Sequence, residues 1–227
     1  MPKPVAQFLL ICIVLLIGVR PAMAGAWMEQ EGAGFLSSGF RLRPSGQELS
    51  TYGSYGIGPR LTLGLDINQA EDSGSRSAHA LIFARLPLRQ HDTGWRLALE
   101  VAVGANRDTS PAAQWSAMQR VTLSAGRGLR IAGRDGWAAF DLSAEWQNAG
   151  LTQAWKLDGT LGLNAPSGPA PLLQVELYQP RGGDLLWKLL PGLRFRLTPQ
   201  RELVTGLEIR SFGDARYGLR MELWHRF

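Results

Sequence analysis

Tyr217-Gly218-Leu219-Arg220-Met221-Glu222-Leu223-Trp224-His225-Arg226-Phe227 closes the chain in a two-residue alternation. Tyr217, Leu219, Met221, Leu223 and Phe227 fall on one face of a strand, and Arg220, Glu222 and Arg226 on the other. A sheet edge with so apolar a face is an aggregation hazard in water. The pattern is consistent with a strand that closes a barrel, its apolar face meeting lipid and its charged face lining a lumen.

The same period recurs upstream. Leu61, Leu63, Leu65 and Ile67 alternate with Thr62, Gly64, Asp66 and Asn68, and Trp95, Leu97, Leu99, Val101 and Val103 alternate with Arg96, Ala98, Glu100, Ala102 and Gly104. Phe140, Leu142, Ala144 and Trp146 oppose Asp141, Ser143 and Glu145. Trp155, Leu157, Leu161 and Leu163 oppose Lys156, Asp158 and Thr160, and Leu203, Leu207 and Ile209 oppose Glu208 and Arg210. Weaker strands are expected near 34–43, 48–57, 78–88, 116–131, 171–179 and 185–197. Breaker clusters such as Pro44-Ser45-Gly46, Gly58-Pro59, Glu71 to Ser77, Gly133 to Gly136 and Pro180 to Asp184 separate them. The total is about twelve strands, within a range of 10–14; an even number suits a single-chain bacterial barrel. Pro191 is the awkward residue, because a central strand should not carry proline.

The first residues set the compartment. Lys3 precedes an apolar run from Phe8 to Val19, and Pro21-Ala22-Met23-Ala24 has the small-x-small pattern of a signal-peptidase site. Residues 1–24 are therefore expected to be a cleaved signal peptide, leaving 25–227 as a single barrel domain. The run is shorter than the ~20 apolar residues of a membrane helix. Cleavage removes Cys12, the only cysteine, together with Lys3 and Arg20. That leaves 22 basic residues of 24 against 19 acidic ones, a small excess spread along the chain and not a nucleic-acid footprint. Mean hydropathy is −0.08, as expected where polar lumen residues dilute lipid-facing ones.

Alternation alone does not say which face is wet, since a soluble barrel alternates with its faces exchanged. Aromatic placement favours the membrane. With strands running up and down, Trp146, Trp155, Trp187 and Tyr217 fall towards one end and Tyr55, Trp95, Trp137 and Phe227 towards the other, forming two aromatic girdles. Arg85, Arg96, Glu100, Arg120, Asp141, Glu145, Lys156, Asp158, Glu176, Lys188, Arg194, Arg196, Glu208, Arg220 and Glu222 lie mid-strand and would line a lumen as a mixed-sign network.

The ending resembles the C-terminal assembly signal of Gram-negative outer-membrane β-barrels, with Phe227 as its terminal aromatic and His225 as a departure from it. Tyr55-Gly56-Ile57-Gly58-Pro59-Arg60-Leu61 resembles the periplasmic hairpins of proteobacterial barrels, and Leu197-Thr198-Pro199-Gln200-Arg201 has a similar cast. Gly25-Ala26-Trp27 with Gly32-Ala33-Gly34-Phe35 is similar to the entry of small outer-membrane channels. The resemblance implies a porin- or transporter-like protein in the outer membrane. Its implied partners are membrane lipid, lipopolysaccharide, the barrel-assembly machinery during insertion, and small solutes.

Chemistry has few candidates. Of three histidines, His91 sits in an expected turn, His225 on the apolar face, and His79 on the lumen face near Ser75 and Ser77, across a hairpin from Asp66 and Asn68. A base, a serine and an orienting acid are the parts of a hydrolase site, so an enzyme acting on lipid or lipopolysaccharide at the rim is the alternative function. No zinc spacing, phosphate loop or dinucleotide fingerprint appears, so no cofactor is expected, and Gly126-Arg127-Gly128 lacks the pattern of a nucleotide loop. Arg127, Arg130 and Arg134 could meet anionic lipid or form a solvated turn. The expected fold is an all-β, up-and-down antiparallel transmembrane barrel. The expected function is a narrow passive channel for small solutes, the basic excess hinting at anions, or a structural barrel if the lumen charges interlock.

Overall fold

The computed structural model describes residues 26–90, 94–107, 114–147, 152–165 and 167–227; the expected leader and His91 lie outside them. Twelve strands form one closed sheet: β1 Gly34–Arg43, β2 Gly46–Gly58, β3 Leu61–Asp72, β4 Ser75–Arg89, β5 Arg96–Arg107, β6 Ser116–Ile131, β7 Arg134–Gln147, β8 Thr152–Leu163, β9 Ala170–Pro180, β10 Leu186–Arg196, β11 Arg201–Arg210 and β12 Tyr217–Arg226. Each strand pairs antiparallel with its neighbour in sequence, and β1 pairs with β12 from Phe35–Arg226 to Leu42–Leu219. With twelve strands, both ends of the described chain emerge at one mouth, here the terminal end; the other is the far end.

The faces are those of a membrane barrel. In β5, Val101 and Val103 are each 49% exposed, while Ala98, Glu100 and Ala102 on the alternate positions are buried. Leu63, Leu65 and Ile67 in β3 and Leu219, Met221 and Leu223 in β12 also lie on the open outer surface. A soluble barrel would turn these rows inward. Exposed apolar bands around the wall, with ions inside, suit a sheet surrounded by hydrocarbon.

Several strands are longer than the sequence suggests. The polar runs around Glu71 to Ser77 and Gly133 to Gly136 read as loops, yet the ladder continues to Asp72–Ser75 and Ile131–Arg134. The turns are only Ser73-Gly74 and Ala132-Gly133, and all four residues have positive φ, between 48° and 81°. Such two-residue turns match the twist of the strands they join. Backbone pairing continues there without apolar side chains, so hydrophobic alternation does not mark those strand ends.

Pro191 is accommodated by a gap. The β10–β11 ladder pairs Leu189 with Ile209 and resumes at Gly192–Gly206 in the same register, while Pro191 keeps its place opposite Leu173 of β9. The strand tolerates proline because the interruption is confined to one side.

Candidate functional site

Among the described residues, the lumen gathers most of the buried polar chemistry of this fold. Arg85, Glu100, Arg120, Glu145, Arg194, Glu208 and Arg220 are buried on the inner wall. Asp141, Lys156, Asp158, Glu176, Lys188 and Glu222 face inner cavities, as does Arg96 near the terminal end. Arg196 ends at the rim, exposed, beside Ala165 and Ser167. Arg41, Arg43, Glu48, Asp72, Glu202 and Arg210, absent from the sequence-based set, join the same networks. Arg41 and Arg43 were legible as the polar partners of Phe40 and Leu42.

These charges connect strands that are not neighbours. Arg41 on β1 reaches Glu176 on β9 at 2.6 Å, four strands away around the wall. Lys188 on β10 lies 3.4 Å from Glu48 on β2 and 3.3 Å from Glu176. Arg43 binds Glu208 through Nε at 2.5 Å and also pairs with Glu48. A second web joins Arg120 to Asp66 at 2.7 Å and Arg85 to Glu100 at 2.7 Å, with Tyr52 accepting from Arg85. Acids and bases are so evenly interleaved that the basic excess of the composition gives the lumen no single sign.

Three cavities lined by described residues follow the barrel axis. A far-end cavity of about 500 Å³ and a middle one of about 280 Å³ share Arg120, Lys156 and Glu176. A terminal-end cavity of about 1090 Å³ shares Glu29, Phe35, Trp137 and Arg226 with the middle one. In the middle cavity Asp141, Asp158 and Glu176 are register partners across β7, β8 and β9. Asp141 Oδ1, Asp158 Oδ1 and Gln174 Oε1 have no protein donor there.

The terminal constriction is made by the segment that leads into β1. Residues 26–33 fold back inside the wall. Ala26 and Trp27 are buried, and Trp27 meets Trp137 edge-on with ring centroids 6.3 Å apart. The Glu29 backbone N–H donates to the Thr62 hydroxyl, and the Glu29 carboxylate accepts from Ser54 at 2.9 Å. Gly32 donates to the Gly56 carbonyl, and Gly56 donates to that of Ala33. The cradle is cut from glycine: a Cβ on Gly126 would strike the Trp27 ring, and one on Gly56 would strike the Gln30 carbonyl. Gly126 is therefore a packing surface for Trp27.

Trp137 corrects the girdle assignment. It is 1% exposed and packs against Trp27, because its position in β7 has the parity of Asp141 and not of Phe140. The other girdle residues lie outside: Tyr55, Trp95 and Phe227 near the terminal end, Trp155, Trp187 and Tyr217 near the far end, all exposed, and Trp146 half-buried. Tyr55 stacks with Phe227 at 6.5 Å. Leu81, Phe83 and Met118 form an unexpected apolar patch on the inner wall, with Tyr52 stacked on Phe83.

His79 lines the far-end cavity with Ser77. Its Nε2 lies 3.3 Å from Asp66 Oδ1, and Asp66 is held in turn by Arg120. No serine hydroxyl is hydrogen-bonded to His79 among the described residues, so the histidine–carboxylate pair stands without a nucleophile in contact.

No protein-family model matches the chain, and no curated protein matches it in sequence. Solved structures do match it in shape. The KdgM porin in complex with disordered oligogalacturonate superposes with a TM-score of 0.61 at 11% identity, over 85% of this chain and 99% of that one. The COG4313 outer membrane channel from Pseudomonas putida F1 gives 0.58 at 14% identity, over 92% and 100%. The NanC porin gives 0.56 at 12%, over 84% and 97%. The fold is that of outer-membrane barrels.

Proposed function

We propose that the protein is a narrow passive channel of the bacterial outer membrane, reached by export through a leader at residues 1–24. The observation that carries the reading is the string of three charge-lined cavities inside a wall that is apolar outside. Fixed ions of both signs replace water around a charged or polyhydroxyl solute, and the unpartnered acceptors of Asp141, Asp158 and Gln174 offer hydrogen-bond sites along the way. Two constrictions make the resting lumen tight: the Arg41–Glu176–Lys188–Glu48 bridge and the inturned segment 26–33. Opening requires the segment to leave and the ion bridge to part, since the wall itself is a closed ladder.

Conductance across planar bilayers tests this, with the chain from Gly25 compared with one starting at Glu31. The full chain is expected to conduct weakly and the shortened one more strongly. Absence of both ionic current and solute flux from both forms overturns the channel reading. Oligogalacturonate, the ligand described with KdgM, is a suitable solute to run beside simple salts. Cleavage of phospholipid or lipid A by the purified protein, lost in His79→Ala, would instead assign chemistry to the far rim. A fold shared with porins does not by itself decide between the two.

A further inference from the structure

We infer that the middle cavity is a binding site for the primary ammonium group of a hydroxylated solute, of the class of an amino sugar. The inference deepens the channel reading by naming a kind of solute, and rests on that reading only for the solute's passage. Strands β7, β8 and β9 set Asp141, Asp158 and Glu176 side by side as register partners on the inner wall. Like charges placed directly opposite one another destabilise a sheet, so such a row calls for cations. Two of the three acids have them. Lys156 Nζ lies 2.8 Å from Asp158 Oδ2, and Arg41 and Lys188 lie 2.6 and 3.3 Å from Glu176. Asp141 makes no ion pair among the described residues, and its neighbour on β6 is Ser124. The other cations lining the cavity are committed elsewhere: Arg85 to Glu100, Arg120 to Asp66 and Arg226 to Glu202.

Hydrogen bonding narrows the ligand. Asp141 Oδ1, Asp158 Oδ1 and Gln174 Oε1 are buried acceptors without a protein donor, and all three residues line this cavity. Gln174 is the register partner of Thr160, two residues along β8 from Asp158, so the three acceptors stand on adjacent strands at neighbouring levels. An ammonium carries three N–H donors and no acceptor, whereas a hydroxyl brings one donor and a water two. Its charge also completes the carboxylate row, which an anion would aggravate. A metal ion has no such match, because no group of three His, Cys, Asp or Glu is placed to hold one among the described residues. Trp137 sets the rest of the solute. It is 1% exposed, lines the same cavity, and its indole N–H has no acceptor. A buried donor of this kind calls for an oxygen on the ligand. Trp137 and Asp141 lie on one face of β7 with their Cα atoms roughly 13 Å apart at ~3.3 Å per residue. A solute that meets both is about the size of a sugar ring.

Calorimetric titration of the chain from Gly25 in detergent, with glucosamine, glucose and glucuronate in mildly acidic buffer, tests the site without relying on conduction. The three probes share a ring and differ in carrying an ammonium, a hydroxyl or a carboxylate. Glucosamine is expected to bind about tenfold more tightly than either of the others, as a charge-assisted hydrogen bond outweighs a neutral one. Asp141→Asn keeps the shape and removes the charge, and should cancel that preference while leaving glucose as it was. Trp137→Phe should weaken glucosamine but not propylamine, which has no oxygen for the indole N–H. Heat-modifiable migration on a detergent gel reports folding. If Asp141→Asn does not reach the folded form, Gln174→Met is measured instead and should weaken glucosamine several-fold. Equal affinity for glucosamine and glucose in the wild type overturns the site, as does undiminished glucosamine binding in the folded variants. Conductance is recorded on the same preparations. Binding without current keeps the site and removes the channel, and current without a glucosamine preference does the reverse.

Discussion

Trp27 and Glu29 show how single residues hold the inturned segment. Trp27 fills a pocket made by Trp137 and Gly126, so Trp27→Ala removes contacts worth about 3–5 kcal/mol when an aromatic is lost from a core. The expected outcome is a folded barrel with raised conductance and faster proteolysis of residues 26–33. Gly56→Ala should do the same from the wall side, by blocking the Gln30 carbonyl. Glu29 adds a pH dependence. Burial pushes its carboxyl up from the ordinary value, against the Ser54 hydrogen bond and the attraction of Arg85 and Arg226. A carboxyl whose pKa is higher docked than free favours docking when protonated, and that contribution is lost as pH rises through the docked pKa. Conductance should therefore increase from acid towards neutral pH, and Glu29→Gln should flatten the profile; a profile unchanged in Glu29→Gln removes Glu29 from the mechanism.

Elements carry predictions of their own. Gly34 and Phe227 exchange backbone hydrogen bonds at 2.8 and 3.0 Å, so the terminal residue closes the seam between β1 and β12. Deleting Phe227 removes both bonds and the stack on Tyr55. We expect less protein to reach the heat-modifiable form, with the middle and far-end cavities unaffected in what does insert. In β10, Pro191 leaves the ladder to β11 open over two residues. Pro191→Ala restores a donor there, and the barrel should unfold at a higher temperature, by an amount equivalent to one net hydrogen bond, roughly 0.5–1.5 kcal/mol. A lower unfolding temperature would mean that the gap is needed for the curvature of the wall.

At the scale of the molecule, the lumen charges work as a set. Glu208 is fully buried and meets Arg43, with Arg41 3.5 Å away. Removing one partner of such a pair costs about 3–5 kcal/mol, because the other charge stays buried without its counter-ion. Glu208→Ala should therefore destabilise the barrel more than Glu208→Ala combined with Arg43→Met, measured as unfolding in detergent. The opposite order would show that the ions are hydrated independently. Because Arg41 and Lys188 tie β1 and β10 to β9 and β2, the network braces the wall across its width while narrowing the passage.

The sequence by itself determined the wall. Period-two alternation is a local property, set by successive side chains pointing to opposite faces of a strand, so rows such as Leu219, Met221 and Leu223 could be read without knowing any partner. The same rule carried Arg120, Glu145 and Glu208 to the inner face. The tertiary structure decided what those faces meet. Arg41 and Glu176 are 135 residues apart, and only closure of the sheet brings them within hydrogen-bond reach. Trp137 was misplaced because its membership of a strand was not legible through the Gly133–Gly136 run, and parity has no meaning until the strand's limits are known. The segment 26–33 has no periodicity to announce it. It is held by glycines whose missing side chains matter only where a second part of the chain comes to lie against them.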